Sequence, residues 1–218
     1  RFEEKMKTRF KTNKEKIHNL IKDELSNKVV NNDDKFTLTE KTYDHNEINA
    51  MVDVLLSDKL TMGNKVEEFE EQFADYIGSN YAIMVNSGSS ANLLALSSFN
   101  FKKGSEIITP NLTFSTTVAP IYQLGLIPHF VGVEKNKFVA DPKHIEKCIN
   151  KKTVALMIPN LLGNIANWKK INLIAKKYKL KIIEDSADTI GYSVGGKNTG
   201  PLSDIVTNSF YASHIISG

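Results

Sequence analysis

The sequence predicts an α/β fold, a mostly parallel sheet with helices on both faces. From residue 46 onward, short continuous apolar runs alternate with amphipathic stretches, the pattern of strands buried on both sides. Small or polar residues gather just after several of those runs, where open sheets of this kind bind ligands. Composition agrees: 218 residues, 41% hydrophobic and 24% charged, suit one domain with a short appendage.

Residues 1–30 hold nine Lys or Arg against five Asp or Glu, and the remainder nineteen against twenty. The basic excess therefore belongs to an N-terminal arm, the body is close to neutral, and nucleic-acid binding has little support. Within the arm, Ile17, Leu20, Ile21, Leu25 and Val29 recur at spacings of three and four. That stripe predicts an amphipathic helix docking on the body or on a second subunit. It lacks the aromatic anchors and the strong basic bias of a membrane-surface helix. Residues 31–40 are polar without a period and read as a linker, giving an arm and linker at 1–40 and a domain at 41–218. A single cysteine, Cys148, excludes a disulfide scaffold. No apolar run approaches the roughly 20 residues that span a bilayer, and no secretory leader opens the chain, so the expectation is a cytoplasmic protein without membrane contact. Both ends read as cut, since the chain opens at Arg1 and stops at Gly218 just after a strongly patterned segment. The expectation is an N-terminal fragment.

The elements follow in order. Val66, Phe69, Phe73, Tyr76 and Ile77 form one helical face that Gly78 is placed to end. A strand is expected at 81–85 and a helix at 91–96. A strand at 106–109 leads to a helix at 113–123, and a strand at 127–133 to a helix at 142–149. A strand at 154–159, a helix at 168–178 and a strand at 181–184 complete the alternation.

Four strand ends and one late segment carry candidate chemistry. Asn86-Ser87-Gly88-Ser89-Ser90-Ala91-Asn92 is a small-residue turn opening a helix. Its free N–H groups and the helix dipole suit a phosphate, while a plain Ser/Asn cap is the alternative. It is not a Walker loop, and no dinucleotide fingerprint is present. Glu184-Asp185-Ser186-Ala187-Asp188 ends a strand with carboxylates that suit a cation, a proton or a protonated ring nitrogen; a structural acceptor is the alternative. Phe114 follows another strand and suits a flat ligand or ordinary core. The loop Pro159-Asn160-Leu161-Leu162-Gly163-Asn164 is polar and offers an amide that could face the same crevice. In Thr207-Asn208-Ser209-Phe210-Tyr211-Ala212-Ser213-His214, the imidazole is a natural proton shuttle at neutral pH, with a structural histidine as the alternative.

In this order the segments, from Leu60-Thr61-Met62-Gly63 to Gly218, resemble the DegT/DnrJ/StrS sugar aminotransferase and dehydrase family of fold-type-I pyridoxal phosphate enzymes. The resemblance implies that family's large domain. It places Gly88, Ser89, Ser90 and Ser209 at the cofactor phosphate, and Phe114 on the ring. It places Asp185 at the pyridine nitrogen, and Asn164 and Asp188 beside the cofactor. No metal site is implied. The family's aminotransferases carry a Schiff-base lysine where this chain has His214, and no lysine follows Lys197. An imidazole does not replace a primary amine in that bond. The cofactor is thus expected as non-covalently held pyridoxamine phosphate.

Lysine-to-histidine at this position marks the 3-dehydrases of nucleotide-linked 4-keto-6-deoxyhexoses. The resemblance therefore implies loss of the C3 hydroxyl, with His214 moving the proton, in deoxysugar and surface-polysaccharide synthesis such as lipopolysaccharide O-antigen. A homodimer is implied. An iron–sulfur cluster and a reductase partner belong to one branch, and any cluster ligands would lie beyond Gly218. Regeneration by glutamate belongs to the other. An aminotransferase and a non-catalytic cofactor- or nucleotide-sugar-binding regulator are the competing readings. Ser203-Asp204 departs from the family's Gly-Asp turn.

Overall fold

A computed structural model describes residues 2–27, 43–198, 202–212 and 214. The chain divides into two compact units, Arg1–Glu68 and Phe69–Gly218.

In the first unit, helix α1 (Phe2–Ser26) packs on α2 (His45–Leu55). Asp53 on α2 takes Lys14 Nζ and His18 Nε2, each at 2.8 Å. Among the α1 residues whose exposure is described, Lys14, His18, Ile21 and Leu25 are partly covered, again at spacings of three and four. The predicted stripe is thus shifted, because Ile17 and Leu20 remain exposed. Val29 and the predicted linker at 31–40 lie outside the described residues. Helix α2 begins with a capping box: Asn46 N–H donates to Asp44 (2.6 Å), and Glu47 accepts from Asp44 N–H (2.8 Å). Helix α3 (Asn64–Ile77) ends at Gly78, whose φ of 73° is the left-handed stop expected of it.

The second unit holds a five-stranded, wholly parallel sheet in the order β2-β1-β3-β4-β7. Its strands are β1 (Glu106–Pro110), β2 (Ile127–Val131), β3 (Thr153–Pro159), β4 (Lys181–Asp185) and β7 (Ile205–Thr207). A separate antiparallel hairpin joins β5 (Ser193–Val194) to β6 (Lys197–Asn198) across Gly195 and Gly196. Helices α4 (Gly88–Ser97), α5 (Ser115–Gln123), α6 (Pro142–Cys148) and α7 (Trp168–Tyr178) fill the alternation.

Alternate residues along the strands go to opposite faces. Ile107, Ala155, Met157 and Ile183 pack with Ala95 and Leu96 of α4 and Ile121 of α5. Ile108, Leu156, Ile158 and Ile182 pack with Ile145 of α6 and with Trp168, Ile171 and Ala175 of α7. Each fully buried isoleucine contributes about 1.5–3 kcal/mol. The two halves of the core therefore lock the same strand ends from both sides.

Two expectations change. Residues 81–85 form no strand: Tyr81 and Ile83 are exposed, and Met84 N–H donates to the Glu70 carboxylate (2.6 Å) rather than to a neighbouring strand. Apolar character alone does not make a strand where, among the described residues, no backbone partner lies alongside. Strand β2 stops at Val131, and Val133 instead pairs singly with Ala140. The Ser203-Asp204 departure is absorbed locally. Asp204 accepts from Ile182 N–H (2.9 Å) and Lys181 Nζ (2.6 Å), and Ser203 Oγ donates to buried Glu184 (2.8 Å).

Candidate functional site

Strand alternation sends the last two residues of β4 apart. Asp185 continues the face of Ile183 toward α4 and α5, and Glu184 continues the face of Ile182. Asp185 Oδ2 accepts from Asn92 Nδ2 (2.9 Å) and Thr117 Oγ1 (2.8 Å), while among the described residues Oδ1 has only the longer Ala187 N–H contact (3.3 Å). One oxygen is held firmly, and the other keeps acceptor capacity in a buried setting.

Asn92 is the pivot of this arrangement. Pro120 sits inside α5 and cannot donate to the carbonyl four residues back, which is that of Thr116. Asn92 Nδ2 supplies a donor to that carbonyl (3.3 Å) alongside its bond to Asp185. Its Oδ1 accepts from Thr207 Oγ1 of β7 (2.6 Å). One buried amide thus ties α4, α5, β4 and β7 together.

Helix α4 opens at Ser87, whose side chain accepts from Ser90 N–H (3.1 Å). At its first residue, Gly88, an added Cβ would lie 2.9 Å from Ser209 Cβ and 3.2 Å from Ser209 Oγ. Only glycine permits that approach, and it brings the helix N-terminus onto the segment after β7. Phe210 fixes this segment from beneath, packing edge-on against Phe69 (5.3 Å) and Phe73 (5.5 Å) of α3. Ser209 is buried, its Oγ accepting from Tyr211 N–H (3.3 Å), and Ser89 is exposed.

On the other face of β4, Glu184 is fully buried. Its carboxylate accepts from Asn160 Nδ2 (3.0 Å), Ser186 Oγ (2.6 Å), Ser203 Oγ (2.8 Å) and the Tyr192 hydroxyl. Burial pushes its pKa up, against the pull of those donors. Asn160 Oδ1 in turn accepts from Ala166 N–H (2.9 Å) and Trp168 Nε1 (3.1 Å).

The remaining sequence-derived candidates fall as follows. Phe114 caps the start of α5 with its ring exposed. Asn164 turns its amide back to Leu161 O (3.0 Å) and Leu162 O (3.4 Å) within its own loop. Asp188 Oδ2 accepts from Leu162 N–H (3.0 Å), and its Oδ1 lies 3.7 Å from His214 Nε2. The structure therefore pairs Gly88 with Ser209 and Asp188 with His214. Asn92, Thr117, Thr207 and Asn160 were not singled out from sequence as site residues. A proline within a predicted helix, opposite a helical asparagine, was the available signal for Asn92.

A buried carboxylate with one uncommitted oxygen, and a glycine cradle at a helix N-terminus facing a serine, fit a flat cationic ring that carries a phosphate. Among the described residues, no cluster of three or more His, Cys, Asp or Glu could hold a metal ion. Also among them, no helix is long and apolar enough to cross a membrane.

The model of the DegT/DnrJ/EryC1/StrS aminotransferase family matches residues 41–218. The chain is 36% identical over 187 residues to a GDP-4-keto-6-deoxy-D-mannose 3-dehydratase of Yersinia pseudotuberculosis, covering 83% of this chain and 48% of that protein. It is 40% identical over 178 residues to a dTDP-4-dehydro-2,6-dideoxy-D-glucose 3-dehydratase of Saccharopolyspora spinosa, covering 78% and 38%. The solved E. coli GDP-4-keto-6-deoxy-D-mannose-3-dehydratase with bound hydrated PLP superposes with a TM-score of 0.78 at 35% identity, covering 84% of this chain and 49% of that one. The chain spans less than half the length of these relatives.

Proposed function

Since the chain belongs to the DegT/DnrJ/EryC1/StrS aminotransferase family, we propose that it is the cofactor-binding part of a pyridoxamine/pyridoxal phosphate-dependent 3-dehydrase of a nucleotide-linked 4-keto-6-deoxyhexose. The observation that carries this reading is His214, the imidazole in the Ser209–His214 segment where the family's aminotransferases use a lysine; no lysine follows Lys197. Arm and linker occupy 1–40 and the cofactor domain 41–218, and the protein works as a cytoplasmic homodimer.

The residues divide the work by chemistry. Gly88, Ser89, Ser90 and Ser209 hold the phosphate with the N–H groups that open α4. Asp185 pairs its free oxygen with the protonated ring nitrogen, while Asn92 and Thr117 keep its other oxygen in place. Phe114 covers the ring, and Asn164 and Asp188 line its edge. When bound, the pyridinium ring draws electrons from the bonds beside it. His214 takes up one proton as the sugar reacts and returns one to the departing C3 hydroxyl, so it ends each turnover as it began. A lysine in its place restores the covalent amine chemistry that leads to amino sugars.

The test uses the full-length protein with pyridoxamine phosphate and a nucleotide-linked 4-keto-6-deoxyhexose, followed by mass spectrometry with and without glutamate. Loss of water is expected, and His214→Lys abolishes it. Turnover with glutamate alone places the protein in the cluster-free branch, and turnover only with a reductase places it in the other. An amino-sugar product from the unmodified protein, or binding without conversion, overturns the proposal.

A further inference from the structure

The contact between Asp188 and His214 goes beyond which residue moves the proton, to which nitrogen carries it. Asp188 is anchored: its Oδ2 takes the N–H of Leu162 at 3.0 Å. Leu162 itself sits at φ 54°, ψ 39°, a left-handed conformation that a leucine adopts only when its surroundings impose it. The free oxygen of Asp188, Oδ1, faces His214 Nε2 at 3.7 Å. This is longer than a hydrogen bond, and such contacts commonly tighten once a ligand fills a site. On the other side of the ring, Nδ1 is enclosed and, among the described residues, has no hydrogen-bond partner. The ring is held edge-on to Tyr211 (5.7 Å between centroids), and His214 N–H donates to Tyr211 O (2.8 Å).

A neutral imidazole carries one proton. On Nδ1 it would be a buried donor without an acceptor, which costs the whole desolvation of that group. On Nε2 it points at a carboxylate. We infer that Asp188 is a positioning residue that fixes His214 in the Nε2–H form, with the protonated nitrogen held toward the carboxylate. The inference rests on the reading of His214 as the proton-transfer group.

The discriminating variant is Asp188→Asn, which has the same shape. Leu162 N–H claims the amide oxygen, so the amide NH2 faces Nε2 and requires it to accept. The ring proton is then driven to Nδ1. Long-range ¹H–¹⁵N spectra of the full-length protein without substrate report this directly, the His214 signals being those lost in His214→Asn. The expected result is Nε2–H in the wild type and Nδ1–H in Asp188→Asn. Nδ1–H in the wild type, or an unchanged tautomer in Asp188→Asn, overturns the inference.

Turnover gives a second readout. Asp188→Asn lowers kcat by about 10²- to 10⁴-fold with KM little changed, and Asp188→Ala, which imposes no wrong tautomer, lowers it less. A merely structural Asp188 gives the reverse order, with the isosteric amide mildest, and that order also overturns the inference. The spectra need no substrate, so the tautomer result stands apart from whether the protein dehydrates a sugar.

Discussion

Glu184 and Asp185 are consecutive carboxylates on one strand, and the contrast between them shows how a sheet separates structure from chemistry. Glu184 is enclosed by Asn160, Ser186, Tyr192 and Ser203, with donors on both of its oxygens. Asp185 is gripped on one oxygen by Asn92 and Thr117 and nearly free on the other. Glu184 takes four side-chain donors in a fully enclosed setting, three on Oε1 and Ser203 on Oε2, whereas Asp185 is held rigid through Oδ2 and its Oδ1 has one long backbone contact. The pair teaches that the number and strength of the protein donors, more than burial, separate the two carboxylates, since both side chains are buried.

Three substitutions test that contrast. Asn160→Ala carries the largest expected effect. It strands the Ala166 N–H and the Trp168 indole N–H and strips a donor from Glu184, so denaturant unfolding should show a loss of about 2–5 kcal/mol. Next, Asp185→Asn should leave folding stability within about 1 kcal/mol yet weaken pyridoxamine phosphate binding about 10- to 100-fold, read by calorimetry, because a charge-assisted hydrogen bond is worth roughly 1.5–3 kcal/mol. Stability loss without weaker binding would place Asp185 with the structural carboxylate. The smallest effect concerns pH. The folded state raises the Glu184 pKa, so it holds a proton that the unfolded chain has already released. This contribution to stability is present at low pH and is lost as pH rises from the ordinary carboxylate range through the raised value. Thermal melts across that range should show the wild type losing stability with rising pH more steeply than Glu184→Gln.

Much of the fold was legible because continuous apolar runs and amphipathic helices report burial directly. The helix Trp168–Tyr178 and the strands ending at Pro159 and Asp185 show it. Residues 81–85 failed because a strand also needs a partner, which a local pattern does not reveal. At the site, Gly88, Asp185 and Ser209 stood out through the order of their motifs. Asn92 and Asn160 did not, since a polar residue in a helix or loop looks solvated until the distant groups it serves are known. Their partners, Thr207 for Asn92 and Glu184 for Asn160, belong to other elements.

The closure of Gly88 and Asn92 onto β7 and Ser209 has a consequence for the order of folding. Asn92 and Thr207 are 115 residues apart in the chain. Bringing such distant segments together costs about 4 kcal/mol of loop entropy before their contacts return anything. These contacts therefore form late, after the βα units between them, and during synthesis the cradle stays open until the segment around Ser209 has left the ribosome. A ligand that grips both sides of that seam binds only the finished domain and shifts the balance toward it by mass action. Its supply in the cell thus bears on how much of the protein reaches, and keeps, its native form.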